Sequence, residues 1–317
     1  MKKVLTLLLV ISMLFAVVIP SFAEEDYKVC FVCKAPADYW TAVMNGCQQA
    51  ADEAGIKIDF FLPEKESAEM QVTLVQEAVI AGYDAIVLAP IDPEPLAFAC
   101  QEAKEKGVVI TLVDTMISTE DYEVAYCTDN YGAGKMAAEA MAGYINNEGD
   151  VYIINCNPAA TSDSAREAGF RDMIAEKYPN INITGVQYCY VDTAVASNQT
   201  TDALTANPNI KAIYAPSGFA AIGAANALIA MDRKDVVLCG WDASAEEVAL
   251  LDEQAIDCMI VQQPTVMGYM GVKAAIDILK GAELPHEIVD TGCTLVTYEN
   301  RLDPEIQDLF SQFFTIE

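Results

Sequence analysis

Four side chains able to grip hydroxyl groups, Asp114, Arg166, Asp242 and Gln262, lie at or beyond the ends of apolar, strand-like runs. Carboxylates and an amide oxygen accept hydrogen bonds from hydroxyls, and a guanidinium donates a fork of them. The chemistry this suggests is the orientation of a polyhydroxylated guest. Catalytic constellations are thinly supplied: His286 is the single histidine of the chain and follows Pro285 in an expected loop, so nucleophile–histidine systems lack their base. A glycosidase using Asp114 and Asp242 as its carboxylate pair remains a rival reading. GAGK at residues 132–135 resembles the tail of a phosphate loop, but Asp129 and Met136 stand where Gly and Ser or Thr belong. Its small residues are expected instead to let a helix pack closely on a sheet. Cys30 and Cys33 form a CxxC, yet strand residues three apart face opposite ways. Neither a metal nor a cofactor is expected.

Further wall-forming residues sit in PADYW (36–40), where a strand-like run gives way to a helix. Asp38 is a possible N-cap. Tyr39 and Trp40 could lay ring faces on a sugar's C–H bonds, although helical spacing equally allows Trp40 to be core. Arg166 falls early in a helix, where the dipole disfavours a cation, so a ligand or a carboxylate such as Asp163 or Glu167 is expected beside it. Asp242 either faces a ligand or caps the helix that follows.

The elements that must position these groups alternate along the chain. KVCFVCK (28–34) reads as a buried strand, and apolar positions recur at helical spacing over 38–54. Gly55, Gly82 and Gly107 each stand between a helix and a strand, where a left-handed residue ends the helix. After VAYCTDN (124–130) the cycle restarts, with helices expected from about 131 and over 163–178, 194–205, 219–231 and 265–280. Repeated βα units imply right-handed crossovers and parallel sheets with helices on both faces. Ligands bind such sheets in the crevice at the carboxyl ends of the strands.

The head of the chain carries Lys2 and Lys3, an apolar stretch over 4–19, Pro20 and Ser21-Phe22-Ala23, the layout of a secretory signal peptide over residues 1–23. The stretch is short for a membrane span, which needs about 20 residues. The 18 Lys and Arg against 47 Asp and Glu give a net charge of −29. Such a field repels phosphate backbones and excludes nucleic acid as a partner. Most of the ten cysteines fall in β-like runs, so mostly free, buried thiols are expected.

With these motifs, the chain resembles the periplasmic sugar-binding proteins of ABC transporters, in the ribose-binding-protein-like branch with the type I fold. The resemblance covers residues 27–298 and rests on PADYW (36–40), LAPID (88–92), VDT (113–115), TDNYGAG (128–134), REAGF (166–170), GWD (240–242) and QQP (262–264) in the family's order. It implies two similar Rossmann-like α/β lobes with parallel sheets, joined by a three-stranded hinge. The lobes would be 24–128 plus 263–291 and 129–262 plus 292–317, with crossovers near 115–130, 257–263 and 291–293. Tyr39 and Trp40 would stack on the sugar, and Asp114, Arg166, Asp242 and Gln262 would bond its hydroxyls. The family's partners would be an ABC permease and ATPase in the membrane, with the binding protein a periplasmic monomer; presentation to a chemoreceptor or histidine kinase is the alternative. Where ribose binders carry Asn, Arg and Asn, this chain has Ala37, Thr115 and Ser217. With Lys34 and the APSG turn (215–218), these departures look like the autoinducer- and rhamnose-binding branch. They point to a deoxy sugar or another less polar or bulkier small ligand.

Overall fold

The computed structural model describes residues 27–314; the signal peptide expected at residues 1–23 lies outside them. The first lobe is built from β1 (Val29–Val32), α1 (Asp38–Ala54), β2 (Ile58–Phe61), α2 (Ala68–Ile80), β3 (Ala85–Leu88), α3 (Pro93–Glu105), β4 (Val109–Val113) and β5 (Val124–Cys127). The second comprises α4 (Asn130–Tyr144), β6 (Gly149–Asn155), α5 (Thr161–Lys177), β7 (Ile181–Tyr188), α6 (Thr193–Ala206), β8 (Ile210–Tyr214), α7 (Gly218–Ala230), β9 (Val237–Trp241), α8 (Ala245–Asp252) and β10 (Cys258–Gln262). The chain then returns: α9 (Pro264–Leu279) packs on α1 and β11 (Ile288–Asp290) joins the first sheet. Finally β12 (Cys293–Thr297) joins the second sheet, and α10 (Pro304–Phe310) packs into the core of that lobe.

The two sheets have one topology. Their orders are β2-β1-β3-β4-β5-β11 and β7-β6-β8-β9-β10-β12, parallel throughout except for β12. Strands β1 and β3 are buried at every position, as continuous apolar runs must be when helices cover both faces. Phe31 and Cys33 face α1 and α9, whereas Cys30 and Val32 face α2 and α3, so the CxxC pair is split across the sheet. All ten cysteines, which lie among the described residues, are free, and all but the half-buried Cys293 are buried. Gly55, Gly82 and Gly107 adopt φ of 72°, 74° and 84°, the left-handed stops their positions require.

Three local details differ from the sequence expectations. Asp38 is not an N-cap: Ala37 occupies that position with no side-chain hydrogen bond, and Asp38 opens the first turn of α1. The eight-residue α8 is too short to show periodicity, but its capping box was written in Ser244 and Glu247, whose side chains each accept the other's backbone N–H. Within GAGK, Ala133 joins the core shared with the strands, but Gly134 serves helix–helix packing. A Cβ on Gly134 of α4 would meet the Arg166 carbonyl of α5 at 2.2 Å, and one on Gly169 of α5 would meet the Tyr131 carbonyl at 2.0 Å. The first lobe repeats the device, Gly46 of α1 against Thr265 O (1.9 Å) and Gly268 of α9 against Val43 O (2.0 Å).

Because those neighbours are backbone, they cannot swing aside. Gly169→Ala should therefore separate α4 from α5 and cost about 1–3 kcal/mol, read as a lower midpoint in urea with an unchanged slope. A midpoint equal to wild type would contradict the close approach.

Candidate functional site: the cleft between the lobes

A cavity of about 410 Å³ lies where the carboxyl ends of both sheets face each other, a size typical of small-molecule sites. Lys34, Ile91 and Asp114 approach from beyond β1, β3 and β4; Cys156, Val191, Ser217 and Asp242 approach from beyond β6, β7, β8 and β9. Arg166 reaches in from α5, and Gln262 closes β10. A larger hollow of about 570 Å³, lined by Tyr144, Arg233 and Tyr298 among others, opens at the opposite, amino-terminal edge of the second sheet. Its charged groups are exposed or half-buried, whereas Lys34, Asp114, Asp163, Arg166, Glu247 and Gln262 of the cleft are buried.

The two lobes offer equivalent aspartates. Asp114 and Asp242 each follow the fourth strand of their sheet with left-handed backbones, φ 67° and 69°. Each donates its backbone N–H to the fifth strand, Asp114 to Tyr126 O at 3.0 Å and Asp242 to Ile260 O at 2.9 Å. Aspartate tolerates this region better than most residues, and the reversal turns the carboxylates toward the cleft.

Their surroundings differ. Asp114 is buried and receives Lys34 Nζ at 2.7 Å, the Tyr39 hydroxyl at 2.7 Å and the Thr115 hydroxyl at 2.7 Å. Burial would raise its pKa, but Lys34 and Arg166, with the hydrogen bonds from Lys34 and Thr115, outweigh it and hold the carboxyl below its ordinary value. Lys34 Nζ also donates to Thr115 Oγ1 at 2.5 Å and lies 5.4 Å from the centre of the Trp40 ring. Its charge is thereby compensated inside the protein. Asp242, half-buried, has Gln262 Nε2 at 2.8 Å as its side-chain partner, and burial pushes its carboxyl up to about 6.

Arg166 is pinned on four sides. Its Nε donates to Asn130 Oδ1 at 2.7 Å, Nη1 donates to Pro216 O at 2.9 Å and lies 3.6 Å from Asp163, and the guanidinium stacks 4.2 Å from the centre of the Trp241 ring. Of the two carboxylates suggested by its sequence neighbours, Asp163 is the partner; Glu167 bonds Arg171 and Asn155 instead. Asp242 is not a helix cap, since Ser244 takes that role for α8.

Among the other expected contacts, Tyr39 is half-buried on the wall and meets Trp40 edge to face, with ring centres 4.9 Å apart. Trp40 is largely core yet still lines the cavity, as do Ala37 and Ser217, the latter also the N-cap of α7. Thr115 does not line it: its hydroxyl is used by Lys34 and Asp114 behind the wall.

Sequence reasoning missed Glu66, Asn130, Asp163 and Glu247. Asp163 was noticed only as an ion-pair partner, and Glu247 could have been found through its capping box. Glu247 is buried, its Oε1 has no hydrogen-bond partner, and burial followed by repulsion from Asp242 pushes it up to about 8. Among the described residues the cleft thus holds Asp38, Glu66, Asp114, Asp163, Asp242, Glu246 and Glu247 against Lys34 and Arg166 alone. Tyr39, Ile91, Val191, Phe219, Ile222 and Phe313 supply its apolar surface.

A family model described as a periplasmic binding protein domain matches residues 29–283. The chain belongs to the periplasmic binding protein family. It is 24% identical over 250 residues to the ribose import binding protein of Bacillus subtilis (strain 168), covering 79% of this chain and 80% of that one. A carbohydrate transporter solute binding protein from Agrobacterium radiobacter, solved with D-arabinose, superposes with a TM-score of 0.85 at 30% identity, over 90% of this chain and 99% of that one. An ABC transporter solute binding protein from Agrobacterium vitis, solved with D-fucose, does so with a TM-score of 0.84 at 30% identity, over 89% and 99%. The two-lobed type I architecture implied by the sequence motifs is the one observed. The family consists of sugar-binding transport proteins.

Because the folded Glu247 carboxyl has its pKa above the ordinary 4.5, its contribution to stability is present below that value and is lost as pH rises toward about 8. Glu247→Gln cannot ionise and escapes the loss. It should be roughly 2–4 kcal/mol more stable than wild type at pH 9 and little different at pH 4. Parallel stability–pH curves for the two proteins would show that Glu247 is ionised in the fold.

Proposed function

We propose that this protein is an exported sugar-binding component of an ABC importer. It closes its lobes over one small, neutral, sugar-like molecule and delivers it, as a monomer, to permease and ATPase subunits in the membrane. The observation that carries this reading is the pair of aspartates, one from each lobe, facing a single cavity. A ligand bonded to both contacts the two jaws at once, and its greater affinity for the closed form shifts the population toward closure. The signal-peptide layout of residues 1–23 supports export to the periplasm or another extracytoplasmic space.

In this reading Asp114, Arg166, Asp242 and Gln262 bond the ligand's hydroxyls, with Ser217 at the rim. Tyr39 and Trp40 cover its C–H face. Lys34 and Thr115 act through Asp114 by holding it charged. The acid-rich lining, whose two cations are already engaged, disfavours sugar acids and phosphorylated sugars. Ala37 and the apolar wall at Val191, Phe219 and Ile222 offer no partner to a hydroxyl, and a hydroxyl left unpaired costs about 1–3 kcal/mol. A deoxy or otherwise less polar sugar therefore fits better than ribose. The matched proteins are described as import and transport binding proteins, which favours transport over sensing, and binding without turnover suits a family of transport proteins.

Thermal denaturation against a panel of neutral sugars that includes D-arabinose and D-fucose tests the reading. A true ligand at 100 times its Kd should add about 2.7 kcal/mol of stability and leave the sugar chemically unchanged; a panel that shifts nothing, or a sugar that is cleaved, would contradict it. Asp242→Ala should weaken that ligand roughly 10- to 100-fold, the worth of a hydrogen bond to a charged group. An ionised Asp242 is the better acceptor, so wild-type affinity should fall as pH drops below about 6, by at most about tenfold per unit. In Asp242→Asn that pH dependence should flatten, and an unaltered profile would assign it to another group.

A further inference from the structure

The tips of β6 and β7 carry a feature that ligand capture does not use. These parallel strands pair Asn155 with Tyr188. Their ladder continues one step beyond, Cys189 N–H donating to Asn155 O at 2.9 Å and Tyr190 N–H to Cys156 O at 2.9 Å. Cys156 and Cys189 are therefore adjacent across the ladder with side chains on one face. Neighbouring strands run about 4.8 Å apart, inside the Cα separation of roughly 4.4–6.8 Å that a disulfide spans. Both thiols are free.

Just past them Tyr190 and Val191 turn left-handed, φ 50° and 65°, which is uncommon for an aromatic residue and a genuine outlier for a β-branched one. In that turn the Asp192 N–H donates to Cys189 O at 3.1 Å. The neighbouring Cys156 thiol, opposed by burial and aided by the backbone N–H groups of Val191 and Asp192, holds the Cys189 thiol below its ordinary value; the same neighbour and burial push Cys156 up. Cys156 and Val191 both line the cleft. Cys239 and Cys258 make an internal control: they are paired in register on β9 and β10, yet neither lines the cleft, whereas Cys156 lines it with Cys189 directly behind.

We propose that Cys156 and Cys189 form an oxidisable dithiol in the cleft wall, which a small peroxide converts to a disulfide within the folded protein. The thiolate of the pair attacks one peroxide oxygen; the O–O bond breaks, giving a sulfenic acid and a hydroxide that takes up the proton shed by the thiol. The second thiol then attacks the sulfenic sulfur, loses its proton and displaces hydroxide as water. Two thiols give up two electrons and two protons, and one peroxide becomes two waters.

The test uses the wild-type mature chain, purified reduced, exposed to equimolar hydrogen peroxide, then alkylated and mapped by peptide mass. The expected first product is a Cys156–Cys189 crosslink that dithiothreitol reverses. It should form roughly tenfold or more faster than any link through Cys239 or Cys258, because reactivity follows thiolate character and access. Recovery of Cys156 and Cys189 as alkylated thiols while other cysteines oxidise would overturn the proposal, as would equal rates for the two pairs. Cys156→Ser adds a second readout, a sulfenic acid trapped by dimedone at residue 189, and an untrappable residue 189 in the folded variant would count against the pair. Should that variant not fold, the wild-type map decides alone.

Discussion

The structure turns on two backbone reversals. At the tip of the fourth strand of each sheet the chain takes a left-handed aspartate, ties its N–H to the fifth strand and turns a carboxylate toward the opposite lobe. The shared strand order is what makes the two positions equivalent, since it brings the carboxyl ends of both sheets to one crevice. Were either lobe to place its fourth strand elsewhere, the cavity would have one jaw.

The two carboxylates are then tuned in opposite directions. Lys34 and Arg166, with the Thr115 hydroxyl, hold Asp114 charged, and Tyr39 spends its hydroxyl on the same carboxylate. Asp242 leans on Gln262, whose Oε1 accepts the Thr128 hydroxyl at 2.9 Å; the Thr128 carbonyl in turn accepts Asn130 Nδ2 at 3.0 Å, and Asn130 receives Arg166. Thr128 and Gln262 stand where the chain passes from one sheet to the other. The hydrogen bonds that aim Asp242 and Arg166 therefore run through the connecting segments. Under the proposed function the acidic cleft adds one further condition, that the guest not be anionic.

Much of this was legible in residues. The buried strands showed as unbroken apolar runs, their helices as three-to-four spacing, and Gly55, Gly82 and Gly107 marked the stops. Asp114 and Asp242 stood out because a lone carboxylate ending an apolar run needs a purpose. What stayed hidden depends on register between distant segments. Nothing in the sequence around Asn130 says that it will meet Arg166, and Thr115 is one residue from Asp114 yet stays behind the cavity wall. Gly134 could be seen to permit close packing, but not that its partner would be a carbonyl on α5. Cys156 and Cys189 looked like any other small hydrophobes until strand pairing made them neighbours.

The central claim is that one molecule is held by both lobes at once. The direct measurement is a crystal structure of the protein with a ligand retained through purification. The account predicts that the Asp114 and Asp242 carboxylates, or the groups each of them positions, lie within hydrogen-bond distance, about 2.5–3.2 Å, of the same molecule in a closed cleft. A ligand touching only one lobe, or seated at the hollow beside Tyr144 and Arg233, would contradict it.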